Sequence, residues 1–331
     1  YTSAFALRKF QQIQGFGEYG FPESHSTGFA LLAYVSAWLK CHEPAAFTCA
    51  LLNSQPMGFY APDQLVQDAR RHGVEVRPAD VQASDWDCTL ESGCTDQPAL
   101  RLGLCLVKGL MQAAGVRLVK ARATATFTGV EDLAHRANME RGNLQCLAAA
   151  GALKQLAGHR RAAAWRVQGV TPVPPLFKNM PSREPVPALS PPTEGQDLAA
   201  DYANLGVTLG RHPLALLRPL LARWRALTAS QLRALNHGRQ ARAAGLVITR
   251  QCPDSASGVI FLTLEDETGM VNVVVWRHLA EKQRRELLNS RLLGVTGTVQ
   301  REGDVLHLVA ARLADHSGLL SGLVTHSQDF R

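Results

Sequence analysis

No C-x-x-C pair occurs among the seven cysteines, Cys41, Cys49, Cys88, Cys94, Cys105, Cys146 and Cys252, and their number is odd. Zinc ribbons need paired ligand spacing and disulfide frameworks an even count, so neither fits, and reduced, cytosolic thiols are expected. No apolar run is long enough to span a bilayer. The stretch 28–39 comes closest, but it is short and leads into Lys40 and His42. Secretory and other targeting patterns are missing, and the chain opens on Tyr1 rather than methionine, so a fragment or processed chain is expected. Signatures of catalysis are also missing: there is no G-x-S-x-G, no Walker loop and no H-E-x-x-H. Asp85 and Asp87 form the one D-x-D pair. Two carboxylates on one strand face can hold Mg²⁺, but no third carboxylate or phosphate loop lies nearby in sequence, and a solvated turn fits the same residues. No metal site is therefore assigned.

Acidic residues are sparse where the chain is most basic. Residues 101–170 hold eleven Lys/Arg against three Asp/Glu, and residues 171–240 hold eight against four. Residues 1–100 are acidic, six against eleven, and residues 241–331 balance at ten each. A central basic segment suits a phosphate-bearing partner, because neutralising phosphates releases counterions. A solvated basic helix face gives the same count. At 331 residues and 46% hydrophobic, the chain has the length of two or three domains with real cores.

Residues 1–53 read as helical. Phe29, Leu32, Val35 and Leu39 recur at helical spacing, and Ala30, Leu31, Ala33 and Ala37 make the other face apolar too. A helix apolar all round is expected to be buried, with Ser24 or Ser26 capping its start. Pro44 and Pro62 each open a helix, where a missing N–H costs nothing, and Gly73 ends the second. A short strand at 74–76 and a hairpin around 86–94 follow, and residues 100–166 return to helices. Eight prolines between 169 and 196 forbid regular ladders and mark a linker. Helices resume at about 198–235. From Arg239 the period becomes two: 244–250, 259–266, 271–276, 292–300 and 305–313 read as strands, with a helix at 278–289 after the third. That order is the order of an OB-fold barrel.

Two helix–turn–helix candidates lie in the basic segment. The first is Leu106–Leu110 with Lys108 and Gly109, followed by a helix through Lys120 and Arg122. The second is Leu147–Leu153 with Gly151, followed by His159, Arg160 and Arg161. A glycine turn lets backbone amides approach a phosphate, and the next helix N-terminus adds a favourable dipole. Two hairpins in a packing scaffold are the other reading. In the barrel, Arg242, Arg250, Trp276, Arg277, Arg301 and His307 are candidates for a single-strand groove, where bases stack on aromatic faces and cations follow phosphates. Phe261 and Trp276 are the only aromatics between 240 and 316, so a purely structural barrel fits as well. In the linker, Leu176 and Phe177 form a partner-binding candidate or pin the linker to its own domain.

The run Tyr19-Gly20-Phe21-Pro22-Glu23-Ser24-His25-Ser26, with Tyr34, Trp38-Leu39-Lys40 and Pro44-Ala45-Ala46-Phe47, resembles the end of the fingers in bacterial C-family DNA polymerases, the DNA polymerase III alpha subunit family. The run 53–60, with Asp68–Gly73 and Asp85–Cys88, resembles the error-prone ImuC branch. So does the short chain beyond the barrel. Pro22-Glu23 stand where replicative relatives carry a lysine. The resemblance implies an α+β multidomain chain: residues 1–98 the C-terminal part of the fingers, 99–168 a tandem helix–hairpin–helix region, 169–197 a Pro-rich linker with a clamp-motif-like segment, 198–238 a helical connector, 239–316 an OB-fold and 317–331 a tail. It implies a DNA-directed DNA polymerase, a nucleotidyltransferase acting in damage-induced translesion synthesis, whose palm aspartates and Mg²⁺ lie upstream of Tyr1. This chain alone is then inactive. Ser24, His25 and Lys40 become nucleotide- or template-proximal. Primer-template DNA and single-stranded template become the ligands, and ImuB and ImuA the partners. The sliding clamp is reached indirectly, since the glutamine expected at the head of its motif near Val173 is missing. The alternatives are a non-catalytic DNA-binding or clamp-associated OB protein, a replicative alpha subunit, and an RNA-binding OB protein.

Overall fold

A computed structural model of the chain describes residues 5, 7, 9–11, 23–56, 61–94, 97–170, 187–253, 258–303 and 305–321. They fall into two compact units, Tyr1–Ala79 with Ala83–Cys105, and Asp80–Gln82 with Leu106–Arg331. No described helix is long and apolar enough to cross a membrane.

In the first unit, α1 (Glu23–His42), α2 (Pro44–Asn53) and α3 (Pro62–Arg71) precede β1 (Val76–Arg77), β2 (Thr89–Glu91) and β3 (Ala99–Arg101). Pro44 and Pro62 occupy first-turn positions, as their spacing predicts. Gly73, at φ +80°, follows α3 in the left-handed conformation that ends helices. The helix expected from residue 100 gives way to a strand. β3 is the centre of a β1-β3-β2 sheet, parallel to β1 and antiparallel to β2, so its backbone groups are satisfied from both sides. This compact unit accordingly runs on to Cys105. Arg77 donates to Glu91 at 2.6 Å and Arg101 donates to the other Glu91 oxygen at 2.8 Å, tying the three strands together.

α1 departs from expectation in two ways. Ser24 and Ser26 lie inside its first turn, since the helix already includes Glu23. Its apolar surface is also exposed rather than buried: Leu31, Leu32 and Tyr34 are 64%, 62% and 71% accessible. Patterning says that a helix wants cover; it does not supply the cover.

In the second unit, α4 (Gln112–Thr124), α5 (Val130–Arg136), α6 (Arg141–Ala150), α7 (Lys154–Ala157) and α8 (Arg160–Gly169) form the helical region. After the linker come α9 (Glu194–Asn204), α10 (Pro213–Arg223) and α11 (Ala229–Arg233). Thr193 with Gln196, and Thr228 with Gln231, make reciprocal capping boxes that fix where α9 and α11 begin.

The barrel strands are β4 (Gln240–Gln251), β5 (Ile260–Asp266), β6 (Gly269–Val275), β7 (Leu292–Glu302) and β8 (Val305–Asp315), closed in the order β4-β5-β6-β8-β7. β6 and β8 are the one parallel pair, and closure leaves no open edge. Leu262, Leu264, Val273, Val295, Val299 and Leu308 point inward at alternate positions and fill the core. At the β5–β6 turn, the buried Asp266 accepts from Thr268 N at 2.7 Å, Gly269 N at 3.0 Å and Ala229 N at 2.6 Å. The single helix expected over 278–289 is broken into α12 (Arg277–Lys282) and α13 (Arg284–Asn289). The break is at Gln283, whose side-chain amide exchanges hydrogen bonds of 3.0 and 2.8 Å with the Leu313 backbone. The fold is thus α+β and multidomain, helical first and a closed five-stranded OB barrel last.

Candidate nucleic-acid interface

The first hairpin turns at Gly109, φ +80°, where a Cβ would come within 3.1 Å of Cys146 Sγ. α4 follows without a side-chain cap, so its leading amides stay open at the positive end of the helix. Lys108, placed in this turn to meet phosphate, is engaged elsewhere. Its ammonium donates to Tyr202 O at 3.1 Å and Ala203 O at 3.0 Å, and its amide to Asn204 O at 2.9 Å, closing the C-terminus of α9.

The second hairpin turns at Gly151, φ +79°, and there the structure corrects the expectation most clearly. The Arg160 guanidinium lies against Gly151 and is only 8% exposed. It donates to Ala149 O at 2.9 Å, Ala150 O at 3.1 Å and Asp197 Oδ1 at 2.5 Å, and it also bonds Asp201 Oδ1. Asp201 Oδ2 in turn accepts from Thr208 Oγ1 at 2.7 Å. Arg160 therefore locks the hairpin to α9 and has no donor to spare for a phosphate. Arg161 is exposed and reaches Ser190 O at 3.2 Å and Gln196 Oε1 at 2.8 Å. His159 caps α8 by accepting from Ala162 N at 3.2 Å, which leaves Nε2 to donate to Leu189 O at 3.1 Å.

Other cations of the basic segment follow the same habit. Arg117 donates to Ala137 O, Arg122 to Val81 O and Arg136 to Ala125 O. Bonds to carbonyls do not neutralise Arg117 and Arg122, whereas Arg136 also pairs with Asp132 at 3.2 Å, so the segment keeps most of its positive charge. Lys120 is different: it is exposed on α4 and its side chain makes no bond among the described residues.

The barrel arginines are likewise committed. Arg242 donates to Trp224 O at 3.2 Å and lies 5.8 Å from the Trp224 ring centroid. Arg250 reaches Leu287 O at 2.8 Å and also Ser290 O, and burial pushes its pKa down from the ordinary arginine value. Arg277 pairs with Glu281 at 2.9 Å, and Arg301 donates to Arg233 O. Trp276 begins α12 with its ring about half exposed.

One outward strip of the barrel is neutral. Register places Phe261, Val274 and Val309 in one row across β5, β6 and β8, and Thr263, Asn272 and His307 in the next. Gln300 on β7 continues the second row. Flanking residues Leu262, Val273 and Leu308 are buried, so both rows face out. His307 Nδ1 is enclosed, with no hydrogen-bond partner among the described residues. His307 and Phe261 stand out in the sequence, while Thr263, Asn272 and Gln300 join them only through strand register.

Of the residues expected near nucleotide or template, Ser24 and His25 lie in the first turn of α1 and Lys40 in its last, about 24 Å apart along the axis at 1.5 Å per residue. The His25 ring stands edge-on to Phe29, with centroids 4.5 Å apart, and Lys40 pairs with Asp68 at 2.9 Å. No group of three or more His, Cys, Asp or Glu among the described residues is arranged to hold a metal ion, Asp85 and Asp87 included. Leu176 and Phe177 lie outside the described residues.

Two family models match the chain: a helix-hairpin-helix motif over residues 73–163 and an OB-fold nucleic acid binding domain over residues 241–314. Hairpins and barrel together define a nucleic-acid-binding protein. Over its whole length the chain is 61% identical to an error-prone DNA polymerase of Alkalilimnicola ehrlichii and 58% identical to one of Azoarcus sp., in each case spanning 32% of the relative. An error-prone DNA polymerase of Pseudomonas fluorescens is 55% identical, with 33% of it spanned. The chain is similar over its whole length to error-prone DNA polymerases and spans about a third of the length of these curated relatives. Among solved structures, asparaginyl-tRNA synthetase from Pyrococcus horikoshii aligns with 28% of this chain and 22% of its own, at 21% identity and a TM-score of 0.25.

Proposed function

We propose that this chain is the DNA-handling third of a template-directed, error-prone DNA polymerase acting in translesion synthesis. The observation that carries the reading is whole-length identity of 54% or more to relatives bearing that name. On this reading residues 1–98 belong to the fingers, with Ser24, His25 and Lys40 toward nucleotide or template. The hairpin at Gly109 presents backbone amides to duplex phosphates, the buried Gly151 turn supports it, and Lys120 adds an unpaired cation. The outer strip of the barrel, from Phe261 to His307, takes single-stranded template by stacking and neutral hydrogen bonding. Its lack of charge favours a passing strand over a tightly held one.

The chemistry belongs to a palm upstream of this segment, where aspartates hold Mg²⁺ and activate a primer 3′-hydroxyl. ImuB and ImuA are the proposed partners, and the clamp is reached through them rather than through Leu176 and Phe177. Primer extension tests the division of labour. The intact polymerase extends a primed template with Mg²⁺; the 331-residue chain alone does not, while still binding that template. Extension by the purified chain alone would overturn the reading.

A further inference from the structure

A cavity that the proposed function leaves unused opens where the parallel strands of the barrel part. Pairing between β6 and β8 begins at Asn272↔His307. Ahead of that point Val271 lies on one strand and Leu306 on the other, and Ala229 and Leu232 of α11 close the third side of a cavity of about 350 Å³. That is the size of a small-ligand pocket. Its floor is apolar, since Ala229, Leu232 and Val271 are buried. α11 is held over it by the β5–β6 turn: Ala229 N donates to Asp266 at 2.6 Å and Ser230 N to Thr268 Oγ1 at 3.0 Å. Two guanidiniums stand at the mouth. Arg233, the last residue of α11, lies against Gly269, where a Cβ would come within 3.0 Å of its Nη2, and donates from that nitrogen to Met270 O at 3.2 Å. Arg301, near the end of β7, uses its own Nη2 to bond Arg233 O and to reach Leu235 O at 3.4 Å. Nε and Nη1 of both side chains make no bond among the described residues, and neither arginine meets a carboxylate there.

We propose that this cavity takes one nucleotide unit of a single strand, with its phosphate between Arg233 and Arg301 and its base against Leu232, Val271 and Leu306. The inference rests on the single-strand reading of the barrel and adds to it a charged anchor at one end of the neutral strip. Two cations anchored on neutral carbonyls at one cavity mouth favour an anion between them, and the planar fork of each guanidinium matches a phosphate. A carboxylate would satisfy the same forks, but continuity with the strip favours the strand. Asn272 belongs both to the cavity and to the outward row that joins Thr263 and His307. On β7 and β8 the pair Gln300↔His307 of that row is followed directly by Arg301↔Leu306, which lines the cavity. A strand that crosses the row therefore arrives at the two arginines. The apolar floor accepts any base, so the anchor fixes the path of the strand without reading its sequence.

The test is fluorescence anisotropy of the full 331-residue chain on a labelled oligothymidylate across a salt titration, with Phe261→Ala run in parallel as the probe of the strip. Arg233→Gln with Arg301→Gln removes both charges, and the salt slope is expected to fall by about 0.7, the worth of one phosphate contact on a single strand. Val305→Trp fills the cavity from its exposed rim and leaves both guanidiniums in place. It is expected to weaken binding about tenfold, as loss of one base contact does. Thermal unfolding accompanies each variant, and if the double substitution loosens α11 the Val305→Trp result decides. Wild-type binding that Phe261→Ala weakens, but that the double substitution and Val305→Trp leave unchanged in slope and affinity, overturns this inference alone and leaves the cavity to a ligand such as an acidic peptide. Absence of wild-type binding overturns it together with the single-strand reading of the barrel.

Discussion

Arg160→Ala removes the only guanidinium between Asp197 and Asp201 and leaves two carboxylates facing each other beside a hairpin, with Lys154 3.4 Å from one of them. Breaking a fully buried pair from one side costs about 3–5 kcal/mol; Asp197 and Asp201 are partly exposed, so the cost is smaller and urea unfolding should shift toward lower denaturant. Lysine cannot reproduce the fork of bonds and should restore little. DNA affinity per folded molecule should be unchanged; weaker binding at an unchanged midpoint would place Arg160 on the DNA instead. Glu91 gives a pH prediction. Arg101, then Arg77, hold its carboxyl down to about 2, against burial. A depressed carboxylate contributes stability that is complete above its unfolded pKa, about 4.5, and is lost as pH falls toward 2. Glu91→Gln should therefore lower stability at neutral pH and flatten its fall across that window, read by thermal unfolding at each pH. Neither role is legible in composition. The basic surplus of residues 101–170 suits a phosphate-facing region, but the carbonyl acceptors that take Lys108, Arg117 and Arg136 at helix ends, and Arg122 at the Val81 turn, appear only when the elements are placed.

At the scale of elements, period-two alternation located all five barrel strands and the glycines located both hairpin turns, because these signals are local. What failed was non-local. Ala99–Arg101 is a strand because β1 and β2 flank it, and α1 is exposed because apolar patterning does not choose a neighbour. The neutral strip across β5, β6 and β8 needs the register of three strands before its residues come together. Its role has a direct check. Phe261→Ala should weaken single-strand binding by about 1–3 kcal/mol, the usual worth of one base–aromatic stack. Asn272→Ala should weaken it further, and neither should change the salt dependence. Both side chains face outward, so the unfolding temperature should hold; its collapse would make the strip part of the core instead.

For the molecule as a whole, the proposed role is DNA handling through two chemistries, a charged grip in the helical hairpin region and a neutral path on the barrel. The measurement that tests it most directly is fluorescence anisotropy of the chain on labelled single-stranded and primed DNA across a salt titration. The account predicts binding to both that weakens as salt rises. Lys120→Ala should lower the salt slope by about one on primed DNA, as loss of one phosphate contact does, and Phe261→Ala with Asn272→Ala should weaken the single strand at an unchanged slope. Binding that is absent, or indifferent to salt and to both sets of substitutions, would contradict it and make these domains scaffold and partner surface alone.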